Sequence, residues 1–139
     1  MLYNKMLYGF VPYAVRGAIW YQGESNLGDK MLYKSKMQAL LNGWKQVFRN
    51  PGLKLYFVQL APYTYNNGDP TMLPQLREAQ QAFADGEKDA GMAIISDAVH
   101  NVRDIHPADK EIVGKRLAYL ALNRDYGRSD IKADSPRLK

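Results

Sequence analysis

Five consecutive residues, Gln22-Gly23-Glu24-Ser25-Asn26, break an apolar stretch that begins at Gly17. Small polar side chains add little to a core but supply hydrogen-bond donors and acceptors. A side-chain amide beside a glycine N–H can give two donors to a developing oxyanion, and Gln22 with Gly23 suits that role. The only two histidines, His100 and His106, lie in the polar segment 96–106. A neutral imidazole can act as a base, and a carboxylate accepting its other N–H would orient it. Asp104 and Asp97 are both candidates for that carboxylate. Two plainer readings stand beside these: a strand-to-helix turn at 22–26, capped by Ser25 or Asn26 with Glu24 exposed, and a helix-capping His106 with Asp104 and Asp109 neutralising its surroundings.

Composition removes several chemistries. The 139 residues contain no cysteine, so there is no disulfide framework, thiol nucleophile or thiolate metal site. Asp97, His100, Asp104 and His106 could in principle supply oxygen and nitrogen ligands to a metal, but all four sit on one short segment and no cofactor or metal is expected. The net charge of +5 comes from Lys and Arg spread over helix faces and a polar tail, which reads as solvated surface and not as a nucleic-acid footprint. No apolar run approaches the roughly 18 residues of a membrane span, and the first residues lack a signal-peptide pattern, so no membrane insertion is expected.

The elements that must position these residues alternate. Gly17–Tyr21 (GAIWY), Leu53–Leu60 (LKLYFVQL) and Gly91–Ile95 (GMAII) read as short buried strands. Helical spacing of apolar residues runs from Asp29 to about Asn50, ended by Pro51-Gly52, and again around Leu73–Ala84, with Gly86 as the stop. A third helix is expected to open at Pro107, placing His106 at or near its N-cap and burying Ile112, Val113, Leu117, Leu120 and Ala121. This order predicts one α/β domain with a parallel sheet covered on both faces. Residues 1–128 would form it, with 129–139 a polar tail leading out. Three strands make a narrow sheet, and 1–13 supplies no clear leading strand, so a larger domain, incomplete at the N-terminus, is expected.

Ligands of an open parallel sheet bind beyond the carboxyl ends of its strands. Gln22–Asn26, the Tyr63-Thr64-Tyr65-Asn66-Asn67 loop and the Asp97–His106 segment each follow a strand and should open on that one edge. Tyr63 and Tyr65 could stack on a sugar ring or simply pack on their own scaffold.

These stretches together resemble a known family. LYNKMLYGFVPYAVRGAIWYQGESN, VQLAP at 58–62, LPQLREAQ at 73–80, GMAIISD at 91–97 and DIHPADKEIVGKRLA at 104–118 are similar, in order, to blocks of the sialate O-acetylesterases within the SGNH (GDSL-like) hydrolases. The resemblance implies a three-layer αβα fold of SGNH, flavodoxin-like type and hydrolysis of acetyl esters on carbohydrates by a serine/histidine mechanism. It implies His106 as catalytic base, Asp104 as its orienting acid, Gln22 and Gly23 in the oxyanion hole, and Glu24 and Asn26 among the substrate-binding residues. Many SGNH enzymes carry the acid three residues before the histidine, where Arg103 stands here, so Asp97 remains the alternative to Asp104. An acetylated carbohydrate is the implied partner, and a periplasmic or secreted location follows from glycan substrates.

The family's nucleophilic serine lies in an N-terminal block resembling G-Q-S-N-M, and that block is absent. The chain therefore reads as the C-terminal part of a catalytic domain, with Met1 an internal methionine and little activity alone. Ser25 lacks the closing glycine of a nucleophile elbow, since Leu27 stands there. Ser96 should point along the sheet, Ser35 falls in a helix, and Ser129 and Ser135 lie in the tail. A non-catalytic carbohydrate-binding remnant with the same cleft is the alternative.

Overall fold

A computed structural model describes residues 3–65 and 68–136. Its frame is β1 (Gly17–Trp20), α1 (Leu32–Val47), β2 (Lys54–Val58), α2 (Met72–Gly86), β3 (Ala90–Ala93) and α3 (Lys110–Asp125). Short helical turns occupy Tyr3–Leu7, Tyr8–Phe10, Glu24–Asp29 and Ser96–Ala98. The strands form one parallel sheet in the order β1-β2-β3, with Gly17 opposite Lys54 and Leu55 opposite Ala90.

The central strand explains the layering. Every residue of β2 after Lys54 is buried, as expected for a parallel strand covered on both faces. Leu55 and Phe57 join Met37 and Leu41 of α1 and Leu76 and Phe83 of α2 in one cluster. Tyr56 and Val58 point the other way, onto Val113, Leu117 and Leu120 of α3. The strands and helices thus build the expected αβα layers. Gly91 is required by this packing, because a Cβ there would lie 2.8 Å from the Tyr56 ring.

Charged groups tie the end of the sheet opposite the strand termini that carry the polar loops. Asp89 is 5% exposed and takes Lys45 at 2.5 Å and Lys54 at 2.6 Å. Burial alone would raise its carboxyl, but the two lysines outweigh burial and the pKa falls below the usual value.

Two helix starts differ from the sequence expectation. α1 begins at Leu32 and not at Asp29, because Glu24–Asp29 winds as a tighter turn and Lys30 has φ 47°. α3 begins at Lys110 and not at Pro107. Asp109 is its N-cap and its carboxylate accepts the Ile112 N–H at 3.1 Å, satisfying an otherwise orphaned donor. Pro107 is buried in the turn before that cap. His106 is consequently three residues upstream of the N-cap, beyond the first turn where the helix dipole acts. The buried face is as expected for Val113, Leu117 and Leu120, with Ile112 and Ala121 half-buried beside them. Beyond α3, Ile131 accepts from the Asn123 amide at 3.0 Å and Asp134 pairs with Arg124 at 2.6 Å, so these residues lie against the helix.

Candidate active site

Gln22 leaves β1 two residues after Trp20 and enters a chain of polar contacts. The Tyr33 hydroxyl donates to the Gln22 carbonyl and to its Oε1, each at 3.0 Å. Gln22 Nε2 donates to Asn26 Oδ1 at 2.6 Å, Asn26 Nδ2 to Asp29 Oδ2 at 2.6 Å, and Lys36 Nζ reaches the same carboxylate oxygen at 2.6 Å. The Lys36 and Asn26 hydrogen bonds lower the Asp29 pKa, so the chain ends on a fixed negative charge. Burial raises the Tyr33 pKa and keeps it a donor. The Gln22 amide is thereby held in one orientation, with one of its two N–H groups spent and the second without a partner among the described residues.

Gly23 is buried and has φ +156°, a backbone conformation that a side chain would strain. Its N–H donates to Glu24 Oε2 at 3.1 Å. A carboxylate oxygen therefore stands on the N–H that would serve an oxyanion, and a ligand oxygen binding there would displace it.

The second loop meets the third. Thr64 N–H donates to the Val102 carbonyl at 2.8 Å, joining the tyrosine loop to the segment that carries both histidines. Tyr63 and Tyr65 pack edge to face with centroids 4.6 Å apart. With Leu27, Leu73 and Pro74 they line a cavity of about 330 Å³. The Tyr65 hydroxyl is buried with no hydrogen-bond partner among the described residues. Burial, and then the charge of Glu24, raise the pKa of both Tyr65 and Tyr21. Asn66 and Asn67 of the predicted loop lie outside the described residues.

The histidine segment is more open. His106 is exposed, and its backbone N–H donates to Asp104 Oδ1 at 2.9 Å, a local turn of the kind Asp favours. Among the described residues no side chain hydrogen-bonds the His106 imidazole. Asp97 is held elsewhere: Arg116 grips both its oxygens at 2.6 Å, and this contact lowers its pKa to about 2. His100 is exposed on the same segment. No group of three or more His, Asp or Glu side chains converges to hold a metal among the described residues.

Gln22, Gly23, Glu24 and Asn26 thus share one network, and the tyrosine loop is joined to the histidine segment. The carboxylate of Asp104 is in contact with the backbone of His106 and that of Asp97 with Arg116. Tyr33, Asp29 and Lys36 escaped the sequence reading. Tyr33 falls inside the first helical stretch, where spacing carries no signal of a contact with Gln22, and the salt link joins residues seven apart across a turn whose geometry periodicity does not encode.

A doubly covered parallel sheet with its polar loops gathered at one edge is the αβα architecture of the SGNH type, whose ligands bind beyond the strand carboxyl ends. Residues 2–123 match the family of carbohydrate esterases described as sialic acid-specific acetylesterases, and the chain belongs to that family. The sialate O-acetylesterase of Rattus norvegicus is 28% identical over 155 residues, covering 100% of this chain and 29% of that protein. The Homo sapiens sialate O-acetylesterase is 28% identical over 152 residues, covering 98% and 29%. The crystal structure of a carbohydrate acetylesterase from Xanthomonas citri superposes with a TM-score of 0.82 at 34% identity, over 91% of this chain and 30% of that one. The chain therefore spans less than a third of the length of these relatives.

Proposed function

We propose that the protein to which this chain contributes hydrolyses acetyl esters on carbohydrates. Its nucleophile is a serine outside the 139 residues, in a segment equivalent to the family's N-terminal block. His106 takes the proton from the serine hydroxyl as the oxygen bonds to the acetyl carbon. The carbonyl electrons move onto the oxygen, which accepts the second Gln22 N–H and the Gly23 N–H in place of Glu24. Collapse breaks the ester bond, and His106 returns the proton to the leaving sugar hydroxyl. Water, losing a proton to His106, then bonds to the acyl carbon; the acyl–serine bond breaks, acetate leaves, and His106 returns the proton to the serine oxygen. Asp104 orients His106 once its carboxylate turns from the backbone to the ring, and Asn26 holds Gln22. The substrate is an acetylated carbohydrate, and its glycan chemistry favours a periplasmic or secreted location. No helix among the described residues is long and apolar enough to cross a membrane.

The observation that carries this reading is the fixed Gln22 amide, its second N–H without a partner among the described residues, in a chain that belongs to an acetylesterase family. The test is intact-mass analysis after fluorophosphonate treatment, of this chain and of the chain joined to its upstream segment. Labelling only of the joined protein, lost in His106→Ala, is the expected result. Labelling of the isolated chain would place the nucleophile inside it and overturn the assignment. A carbohydrate-binding protein without turnover is the second reading, favoured by the Tyr63/Tyr65 cavity that this chain forms by itself. Saturable sugar binding by the joined protein with no ester hydrolysis would select it.

A further inference from the structure

Lys110 stands where a helix does not favour it. It is the first residue of α3, and the amino end of a helix carries partial positive charge that opposes a cation. Among the described residues no carboxylate pairs with it, and the neighbouring Glu111 pairs with Lys115 at 2.5 Å. Its ammonium lies instead 5.2 Å from the centroid of the Tyr21 ring, within the roughly 6 Å over which an aromatic face attracts a cation. Burial and then the charge of Glu24 raise the Tyr21 pKa, so the ring stays a neutral phenol.

The two residues belong to different halves of the candidate site. Tyr21 directly precedes Gln22 and Gly23, and it packs against the cluster that holds Val58, Val113 and Leu117. Lys110 follows His106 by four residues, and between them the buried Pro107 and the N-cap Asp109 fix the chain to the start of α3. Among the described residues no hydrogen bond or ion pair joins the first loop to the histidine segment. The Tyr21 hydroxyl is buried without a hydrogen-bond partner among the described residues, so the ring face and not the hydroxyl makes the link.

We infer that Lys110 is a positioning residue: its ammonium, seated on the Tyr21 ring, sets the spacing between the His106 segment and the Gln22 and Gly23 donors. This rests on the esterase reading above and adds to it a pair of residues that act without touching the ester. A proton moves at one segment while negative charge grows at the other, and such a reaction responds to their spacing on the ångström scale.

The contact is read first by NMR in the 139-residue chain. The Lys110 Hε resonances should lie upfield under the ring current, return to ordinary values in Tyr21→Leu and stay shifted in Tyr21→Phe. The consequence is read in the chain joined to its upstream segment, with p-nitrophenyl acetate, a neutral substrate that one surface charge does not steer. Lys110→Met keeps the apolar stem and removes the charge. It should lower kcat about two- to fivefold with KM unchanged, the size of one exposed cation–π contact. Lys110→Arg and Tyr21→Phe should keep the rate, and Lys110→Met combined with Tyr21→Leu should be no slower than Tyr21→Leu alone. Circular dichroism should be unchanged in each. Unshifted Lys110 resonances, an effect on KM in place of kcat, or an undiminished kcat in Lys110→Met overturns the inference. Turnover indifferent to Lys110 removes its role alone, whereas absence of turnover in the unsubstituted joined protein removes the esterase and that role with it.

Discussion

Gln22 has two amide N–H groups and gives one to Asn26, and the other meets no acceptor among the described residues. Removing the amide should act on turnover through that N–H and on stability through the Tyr33 and Asn26 contacts it also makes. In the joined protein Gln22→Ala is expected to lower kcat by about 10²- to 10³-fold, as loss of an oxyanion donor does, with KM little changed and a modest fall in melting temperature. Asn26→Ala should give a smaller loss, because it frees the amide to rotate while leaving it present. Steady-state kinetics on an acetyl ester check both. Gly23→Ala is a different case: φ +156° strains any side chain, so it should cost about 1–3 kcal/mol in urea unfolding as well as activity.

The helices show where local chemistry outweighs pattern. α3 starts at the residue whose side chain can accept a backbone N–H, Asp109, although Pro107 is a good first-turn residue. Asp109→Ala should destabilise the fold by about 1 kcal/mol in urea melts, and Pro107→Ala should leave the helix start unmoved. α3 is also held to β3 by Arg116, whose guanidinium grips Asp97 and also donates to the Ile94 carbonyl. The Asp97 pKa is lowered to about 2 in the folded protein, below the roughly 3.9 of an unpaired Asp. A depressed folded value contributes stability above the unfolded pKa, and that contribution is lost as pH falls through the folded one. Melting temperature should therefore fall between about pH 4 and pH 2, and Asp97→Asn should remove that part of the slope.

Across the molecule, stability rests on the faces of one central strand. Phe57 is fully buried between α1 and α2, with Phe83 at 5.6 Å between ring centroids. Phe57→Ala should cost about 3–5 kcal/mol, enough to unfold a marginal domain, as read by calorimetry. β1 behaves differently. Among the described residues it pairs on one side only, and Ile19 is 71% exposed, so Ile19→Thr should change the melting temperature of this chain very little. The contrast between the two strands separates residues that hold the sheet from those at its open edge.

Strand and helix identity, the parallel sheet, the apolar face of α3 and the edge shared by the polar loops were legible in the chain, because apolar period and strand-helix alternation are local properties that burial enforces. The QGESN and DIHPxxK stretches pointed to the family for the same reason: contiguous residues carry them. Tertiary structure alone decided which polar atoms meet. Tyr33 reaches back across a turn to Gln22, Arg116 crosses from α3 to Asp97, Thr64 joins Val102, and Lys110 stands over the Tyr21 ring. Hydrogen bonds and ion pairs depend on ångström distances between segments far apart in sequence, and no periodicity records those distances.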